Sequence, residues 1–252
     1  MFKQVIDSFQ KGFSLANKSW GLFLFWFIFS TISGIPNLLG DSFIKVTLQI
    51  VGFLLVFFIG SGFSFSLPIF LVEKQQGKTL KLGNILSTTL RSTKRLILFT
   101  ILTILFLILT LILSSLLIFT AQFIYEGNLN FLENSTLGFE LITSITMVLF
   151  IGLYSFLTFA SIYFSLEKQS VFSSVKKSIS LSFKNLNFIV ILFVINVFTF
   201  FVLVLFLNNY QNPYQLFIMN IIYAYELLLL TAASLIFYQN LAGTGKSDHQ
   251  EK

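Results

Sequence analysis

Long apolar runs alternate with short polar segments along the whole chain. Six of the runs reach the roughly 20 apolar residues that a membrane-spanning helix needs at a rise of about 1.5 Å per residue. They cover residues 20–38, 45–72, 96–125, 138–166, 188–207 and 216–241. The pattern therefore predicts an all-α, polytopic membrane bundle with six transmembrane helices.

Three of the polar segments carry a narrow apolar stripe at the i, i+4, i+8 spacing of one helix face. The stripes comprise Val5, Ile6, Phe9 and Phe13; Leu82, Leu86 and Leu90; and Val171, Phe172, Val175 and Ile179. A base follows each stripe at the same offset (Lys18, Arg95 and Lys184), and an apolar run comes next. A short basic helix suits the membrane interface, so we predict three amphipathic interfacial helices. The alternative is three helical linkers packed on the underside of the bundle.

The ends of the even-numbered runs also repeat. Residues 64–70, 158–164 and 231–237 align without gaps, with small residues in two columns and Phe70, Phe164 and Phe237 in a third. The chain is therefore predicted to contain three units, at about 1–72, 79–166 and 170–241. Each unit crosses the membrane twice, so the units have the same orientation, unlike the inverted repeats of many transporters. The small residues favour close helix packing; the alternative is that they line a pore.

Positive charge is confined to the polar segments. Of the 16 Lys and Arg residues, all but Lys45 lie in residues 1–19, 73–95, 167–187 and 242–252. Basic segments stay on the cytoplasmic side, so both termini are predicted to be cytoplasmic, with residues 242–252 as a disordered tail of a single membrane domain, 1–252. The amino-acid composition is rich in Phe, Ile, Lys and Asn, and this suggests that the protein lies in a bacterial inner membrane.

Composition narrows the chemistry. The chain is 56% hydrophobic and 10% charged, with no Cys and a single His in the tail. The net charge of +6 is explained by the basic segments that orient the chain in the membrane, and no nucleic-acid recognition motif accompanies it. We therefore predict no nucleic-acid partner, no metal site, no cofactor and no catalytic residue.

One ionisable side chain lies deep in an apolar run. Glu226 is near the middle of the sixth run, and Asn196 in the fifth should lie at the same height, with Tyr223 and Tyr225 adjacent. Buried ionisable residues in membranes are costly and often functional. The four residues form a candidate polar site for a proton, a cation or a lipid head group. The alternative is a hydrogen bond that locks the helices together.

A second candidate site lies in the polar segment between the second and third runs. This segment holds six bases, and the five that follow Lys74 are the candidates: Lys78, Lys81, Arg91, Lys94 and Arg95, with no acid after them until Glu126. Each base near an anionic leaflet contributes about 1 kcal/mol of attraction. These residues are candidates for contact with anionic lipid.

The basic helix before several span pairs, as in VIDSFQKGFSLANKSW and VFSSVKKSISLSFKNLNF, resembles a known group. It is a six-span prokaryotic membrane family of mostly unknown function, related to the membrane domain of some glycerophosphodiester phosphodiesterases. The resemblance implies an accessory or lipid-associated role. It carries over no catalytic residue, because this chain lacks the soluble phosphodiesterase domain.

Three functional hypotheses follow from these observations. The first is a non-enzymatic membrane protein that associates with lipids, a protein partner or further copies of itself. The second is a small transporter or channel that uses the level of Asn196 and Glu226. The third is an intramembrane enzyme. A polar cavity reaching Glu226 would favour transport, whereas a dry, closely packed bundle would favour the first hypothesis.

Overall fold

The computed structural model describes residues 2–34, 43–126, 148–149, 151–207 and 213–247, and every regular element in these residues is helical. The helices are α1 (Phe2–Asn17), α2 (Trp20–Gly34), α3 (Phe43–Gln75), α4 (Leu82–Glu126), α5 (Ala160–Ser165), α6 (Val171–Lys184), α7 (Leu186–Leu207) and α8 (Pro213–Ser247). Residues 151–156 are also helical, and a turn at 157–159 separates them from α5. The predicted all-α class is confirmed.

Several helices are suited to a bilayer. Within the described residues, Phe57–Gln75 and Phe217–Gly243 are each long and apolar enough to cross a membrane. A third crossing is added if α6 and the first part of α7 count as one span, although these two helices meet at 102°. The chain is therefore a helical bundle with the character of a membrane protein. Parts of the first and fourth predicted runs, at 35–38 and 138–147, lie outside the described residues.

Three equivalent positions decide where the helices break. These positions directly follow the aligned bases Lys18, Arg95 and Lys184, and their residues are Ser19, Leu96 and Asn185. Ser19 separates α1 from α2 and Asn185 separates α6 from α7, and both side chains bond a carbonyl four residues back. Ser and Asn favour helix ends because they compete for backbone hydrogen bonds. Leu96 cannot do so, and α4 continues through it, so the prediction of a separate middle amphipathic helix is wrong.

The last helix extends past its apolar part. It ends at Ser247, so residues 242–247, which we expected in a disordered tail, are helical instead. Once a helix is nucleated, each added residue gains a backbone hydrogen bond, and no proline intervenes here. Residues 248–252 of the predicted tail lie outside the described residues.

The core is aromatic. Six phenylalanines are among the largest side chains that are fully buried: Phe63, Phe70, Phe159, Phe164, Phe188 and Phe237. Phe188 of α7 and Phe237 of α8 stack at 4.2 Å between ring centroids. The repeated phenylalanine column is therefore entirely inside the bundle, where aromatic packing adds to the stabilisation from burial.

The ends of α3, α5 and α8 meet beside this core. The side-chain amides of Gln75 and Gln239 bond each other, which joins α3 to α8. The Tyr238 hydroxyl donates a hydrogen bond to the Glu167 carboxylate directly after α5. The rings of Phe65 and Phe164 join α3 to α5 at 5.4 Å. These contacts bring together the ends of the three helices that carry the repeated sequence.

Candidate functional site

The first helix of the chain packs along the last one. At Gly12 a Cβ atom would lie 2.7 Å from the Cα and N atoms of Ala233, so only glycine allows this approach. The Asn240 amide donates to the Ser8 hydroxyl at 3.3 Å, and the Tyr225 hydroxyl donates to the Asn17 side chain at 2.8 Å. The three contacts run in opposite order along the two helices, so α1 and α8 are antiparallel.

The start of α4 packs on α3 in a similar way. The hydroxyl oxygens of Ser66 and Ser92 lie 2.7 Å apart, and the Thr93 hydroxyl donates to the Phe58 carbonyl at 3.3 Å. A Cβ atom on Gly62 would lie 2.7 Å from the Thr89 carbonyl oxygen. Small residues therefore let the two backbones approach closely here too.

Two serines of α6 bond the turn that precedes α5. At this turn the Ala160 amide donates to Leu157 instead of Phe156, so the Phe156 carbonyl loses its helical partner. The hydroxyls of Ser178 and Ser182 both donate to this carbonyl at 2.9 Å. A buried carbonyl needs such a partner, so α6 satisfies the break in the helix.

The three basic segments bury the same kind of face. At one aligned position the buried residues are Ser8, Ile85 and Ser174. At a second they are Gly12, Thr89 and Ser178. Most of the large apolar residues of the predicted stripes are exposed: Ile6, Phe13, Leu82, Leu86, Leu90, Phe172 and Ile179. Leu82 is 71% exposed and Phe172 62%, whereas only Val5 of the stripe in α1 is buried. The helix contacts are therefore made mainly by small residues, with Ile85 as a large apolar exception, and most of the apolar stripe faces outward.

The candidate lipid-binding bases are on the same outer surface. Lys78 and Lys81 are exposed in the connection between α3 and α4, and Arg91, Lys94 and Arg95 are exposed on α4. The Arg95 guanidinium also lies 4.3 Å above the centre of the Phe164 ring and reaches the Gln169 carbonyl at 3.5 Å. Arg95 therefore joins α4 to the end of α5, and the other four bases extend toward the surroundings.

A polar cluster forms around Glu226, and we call Glu226, Thr199, Tyr154 and Tyr223 the Glu226 cluster. Thr199 of α7 donates a hydrogen bond to the Glu226 carboxylate. Tyr154 and Tyr223 are close enough to the carboxylate and to each other for their charges to interact. The Oε1 atom of Glu226 is buried and has no hydrogen-bond partner among the described residues.

Two of the residues predicted for this site make hydrogen bonds to other groups. The Asn196 amide donates to the Leu192 carbonyl of its own helix at 2.8 Å, and Tyr225 bonds Asn17 of α1. The sequence pointed to the correct level of α7, because Thr199 is one turn from Asn196. It missed Tyr154, since nothing in the chain order places residues 151–156 beside α8.

Further buried polar atoms lie in α2 and α8. The indole nitrogen of Trp26 and the amide nitrogen of Asn220 are buried donors without an acceptor in the part of the chain that the structure describes. The Trp26 ring lies 6.4 Å from the ring of Tyr223. In the same part of the chain, no three His, Cys, Asp or Glu side chains form a group that could hold a metal ion.

Comparison of the chain with family models, curated proteins and solved structures finds no match.

Proposed function

We propose that this chain is a six-span, non-enzymatic membrane protein whose basic segments bind the anionic cytoplasmic leaflet of the bacterial inner membrane. One observation carries the proposal. In all three basic segments the face used for helix packing is made mainly of small residues, although Val5, Leu15 and Ile85 are also buried, and most of the large apolar side chains and bases are left exposed together. Such a surface has an apolar part for the acyl boundary and a cationic part for lipid phosphates.

The order of the contacts supports three like-oriented units. The second and third basic segments contact helical residues that precede them in the chain: the start of α4 packs on α3, and α6 packs on residues 151–156. The first segment, α1, packs on the last helix, α8. If the units are equivalent, these three contacts close a ring about an axis along the membrane normal. A small side chain at the equivalent positions of each contact agrees with that arrangement.

The lengths of the helices support an interfacial position for the basic segments. With 33, 45 and 35 residues, α3, α4 and α8 are about 50, 68 and 52 Å long. The hydrocarbon core is only about 30 Å thick. Part of each helix must therefore extend beyond the core, and the ends that carry the bases are the favourable ones to place among lipid head groups.

Transport at the level of Asn196 and Glu226 is the second candidate function. The unpartnered carboxylate oxygen favours it. The fully buried phenylalanines beside the joined ends of α3, α5 and α8 favour the first proposal, because they close the bundle at its basic end. Like the role suggested by the family resemblance, both functions are proposals.

Quenching by brominated lipids tests the proposed lipid contact. Leu90 is exposed next to Arg91, and a Leu90→Trp variant without Trp20 and Trp26 reports on lipid at this surface. We expect brominated phosphatidylglycerol to quench it more than brominated phosphatidylcholine at equal mole fraction. Replacing the five candidate bases by Gln should lower this preference by at least about fivefold, because the loss of even one base that contributes about 1 kcal/mol corresponds to a factor of about five.

The matched control keeps the charge and changes the side chain. Arg in place of Lys78, Lys81 and Lys94 should retain the preference for anionic lipid. Equal quenching by the two lipids in the unaltered surface would contradict the proposal. The same conclusion would follow if the Gln variant kept its preference.

A further inference from the structure

The geometry points to a binding site for lipophilic organic cations at the Glu226 cluster, entered sideways from the bilayer. The site is separate from the basic surface, and this inference does not rest on the proposed lipid contact. It concerns binding alone and requires no transport step. Three properties of the cluster support it: an unpartnered acceptor, exposed aromatic rings and the absence of any base.

The acceptor is a carboxylate with one oxygen unused. Thr199 donates to Glu226, but the buried Oε1 atom has no partner among the described residues. Leaving a buried carboxylate oxygen unpaired is costly, and the cost is larger for the ionised form. A ligand that supplies a positive charge at this oxygen removes the cost.

The segments that build the cluster supply no cation of their own. Residues 96–167 and 185–245, which contain every element of the cluster, have no Lys, Arg or His. A salt bridge to Glu226 from the helices that build the cluster is therefore impossible. The compensating charge has to come from a proton or from a bound cation.

The surroundings favour an organic cation over a metal ion. Tyr154 and Tyr223 lie near enough to the carboxylate for charge interaction, and the two residues are 43% and 47% exposed on the outside of the bundle. The faces of aromatic rings attract quaternary and delocalised cations. A hard metal ion would need about six oxygen ligands, whereas the cluster offers one carboxylate and three hydroxyls.

The exposure of the two rings also defines the route of entry. In a membrane-spanning bundle the exposed surface faces lipid, so a ligand in the bilayer can contact the two rings, and the buried Oε1 atom becomes accessible when a ring rotates aside. A cation with a large apolar body partitions there and can bring its charge to the carboxylate. We therefore infer a cation that carries several aromatic or alkyl groups.

Calorimetric titration of the purified full-length protein with tetraphenylphosphonium tests the site. We expect saturable binding, and we expect Glu226→Gln to weaken it at least tenfold. Glu73→Gln, which removes the same charge at the end of α3, should leave the affinity unchanged. Tetraphenylborate has the same shape and the opposite charge, and it should not bind.

A second variant guards against a folding defect. If Glu226→Gln is not monodisperse in gel filtration, Tyr223→Leu should still weaken binding several-fold, while Tyr225→Phe should not, because Tyr225 bonds α1 instead. Unchanged affinity in Glu226→Gln would overturn the proposal. Equal binding of tetraphenylphosphonium and tetraphenylborate would also overturn it, since that result indicates an apolar crevice. An equal loss of affinity in Glu73→Gln would overturn it as well, since that result indicates a general charge effect.

Discussion

The basic segments and the Glu226 cluster differ in how their buried polar groups are satisfied. In the basic segments the buried serines find partners, as Ser178 and Ser182 do at the Phe156 carbonyl. The Thr89 hydroxyl is an exception without a partner in the described residues. In the Glu226 cluster the carboxylate oxygen Oε1 has no partner in the described residues. The first region recurs three times along the chain, and the second occurs once. The difference suggests that the recurring contacts build the bundle and that the single cluster is available for a ligand.

Added bulk at the α1–α8 contact should have the largest effect on stability. Gly12→Ala would place a methyl group against the Ala233 backbone, which cannot move aside as a side chain can. We expect the free energy of unfolding to fall by about 2–3 kcal/mol, measured by denaturant titration in detergent. Gly21→Ala is the matched control, because nothing lies within 4 Å of its added methyl group. A stable Gly12→Ala protein would place α1 away from α8.

The serine pair of α6 should show a strongly non-additive effect. Either Ser178→Ala or Ser182→Ala alone leaves one hydroxyl on the Phe156 carbonyl, so each single change should cost well under 1 kcal/mol. The double change orphans the carbonyl and should cost about 2 kcal/mol. Thermal unfolding of the three variants measures this, with the exposed Ser180→Ala as a control. Simple additivity would mean that the carbonyl has another partner.

Removing the Glu226 carboxylate should have little effect on folding. Glu226→Leu deletes one hydrogen bond from Thr199, but it also deletes a buried oxygen that lacks a partner. We expect a change in unfolding free energy within about 1 kcal/mol of zero. A loss above about 2 kcal/mol would identify Glu226 as the structural lock considered from the sequence, and the contrast between the two regions would then disappear.

The smallest effect should be at Tyr225. Tyr225→Phe removes the hydrogen bond to Asn17 and keeps the ring, so the expected cost is about 0.5–1 kcal/mol. Tyr223→Phe, two residues away, removes a hydroxyl that has no hydrogen bond to α1 in the described residues, and it serves as the comparison. Equal costs for the two variants would mean that the bond to Asn17 contributes nothing.

The sequence predicted the helical class, because it depends on local periodicity, and it aligned the three phenylalanines without predicting that they are buried. It did not predict which face of the basic segments is buried. Apolar periodicity drew attention to residues such as Ile6 and Phe13, yet lipid competes for large apolar side chains and helices associate through small ones. The continuity of α4 could have been predicted, since Leu96 stands where Ser19 and Asn185 end the other two helices.

The Glu226 cluster depends on three-dimensional neighbours. The level of Glu226 could be matched with α7 from the hairpin geometry, to within the turn that separates Asn196 from Thr199. The approach of Tyr154 and the contact of Tyr225 with α1 depend on how distant parts of the chain are arranged. No pattern in one sequence specifies them.

The contact between the first and last helices is the central claim about this fold, and cross-linking tests it directly. The chain has no Cys, so a Ser8→Cys/Asn240→Cys variant contains only the two added thiols. In native membranes, a short bifunctional thiol reagent should link them and change the electrophoretic mobility of the denatured chain. Gln10→Cys/Asn240→Cys, with residue 10 on the exposed face of α1, should not be linked. Absence of the 8–240 link, or equal linking of both pairs, would contradict the account.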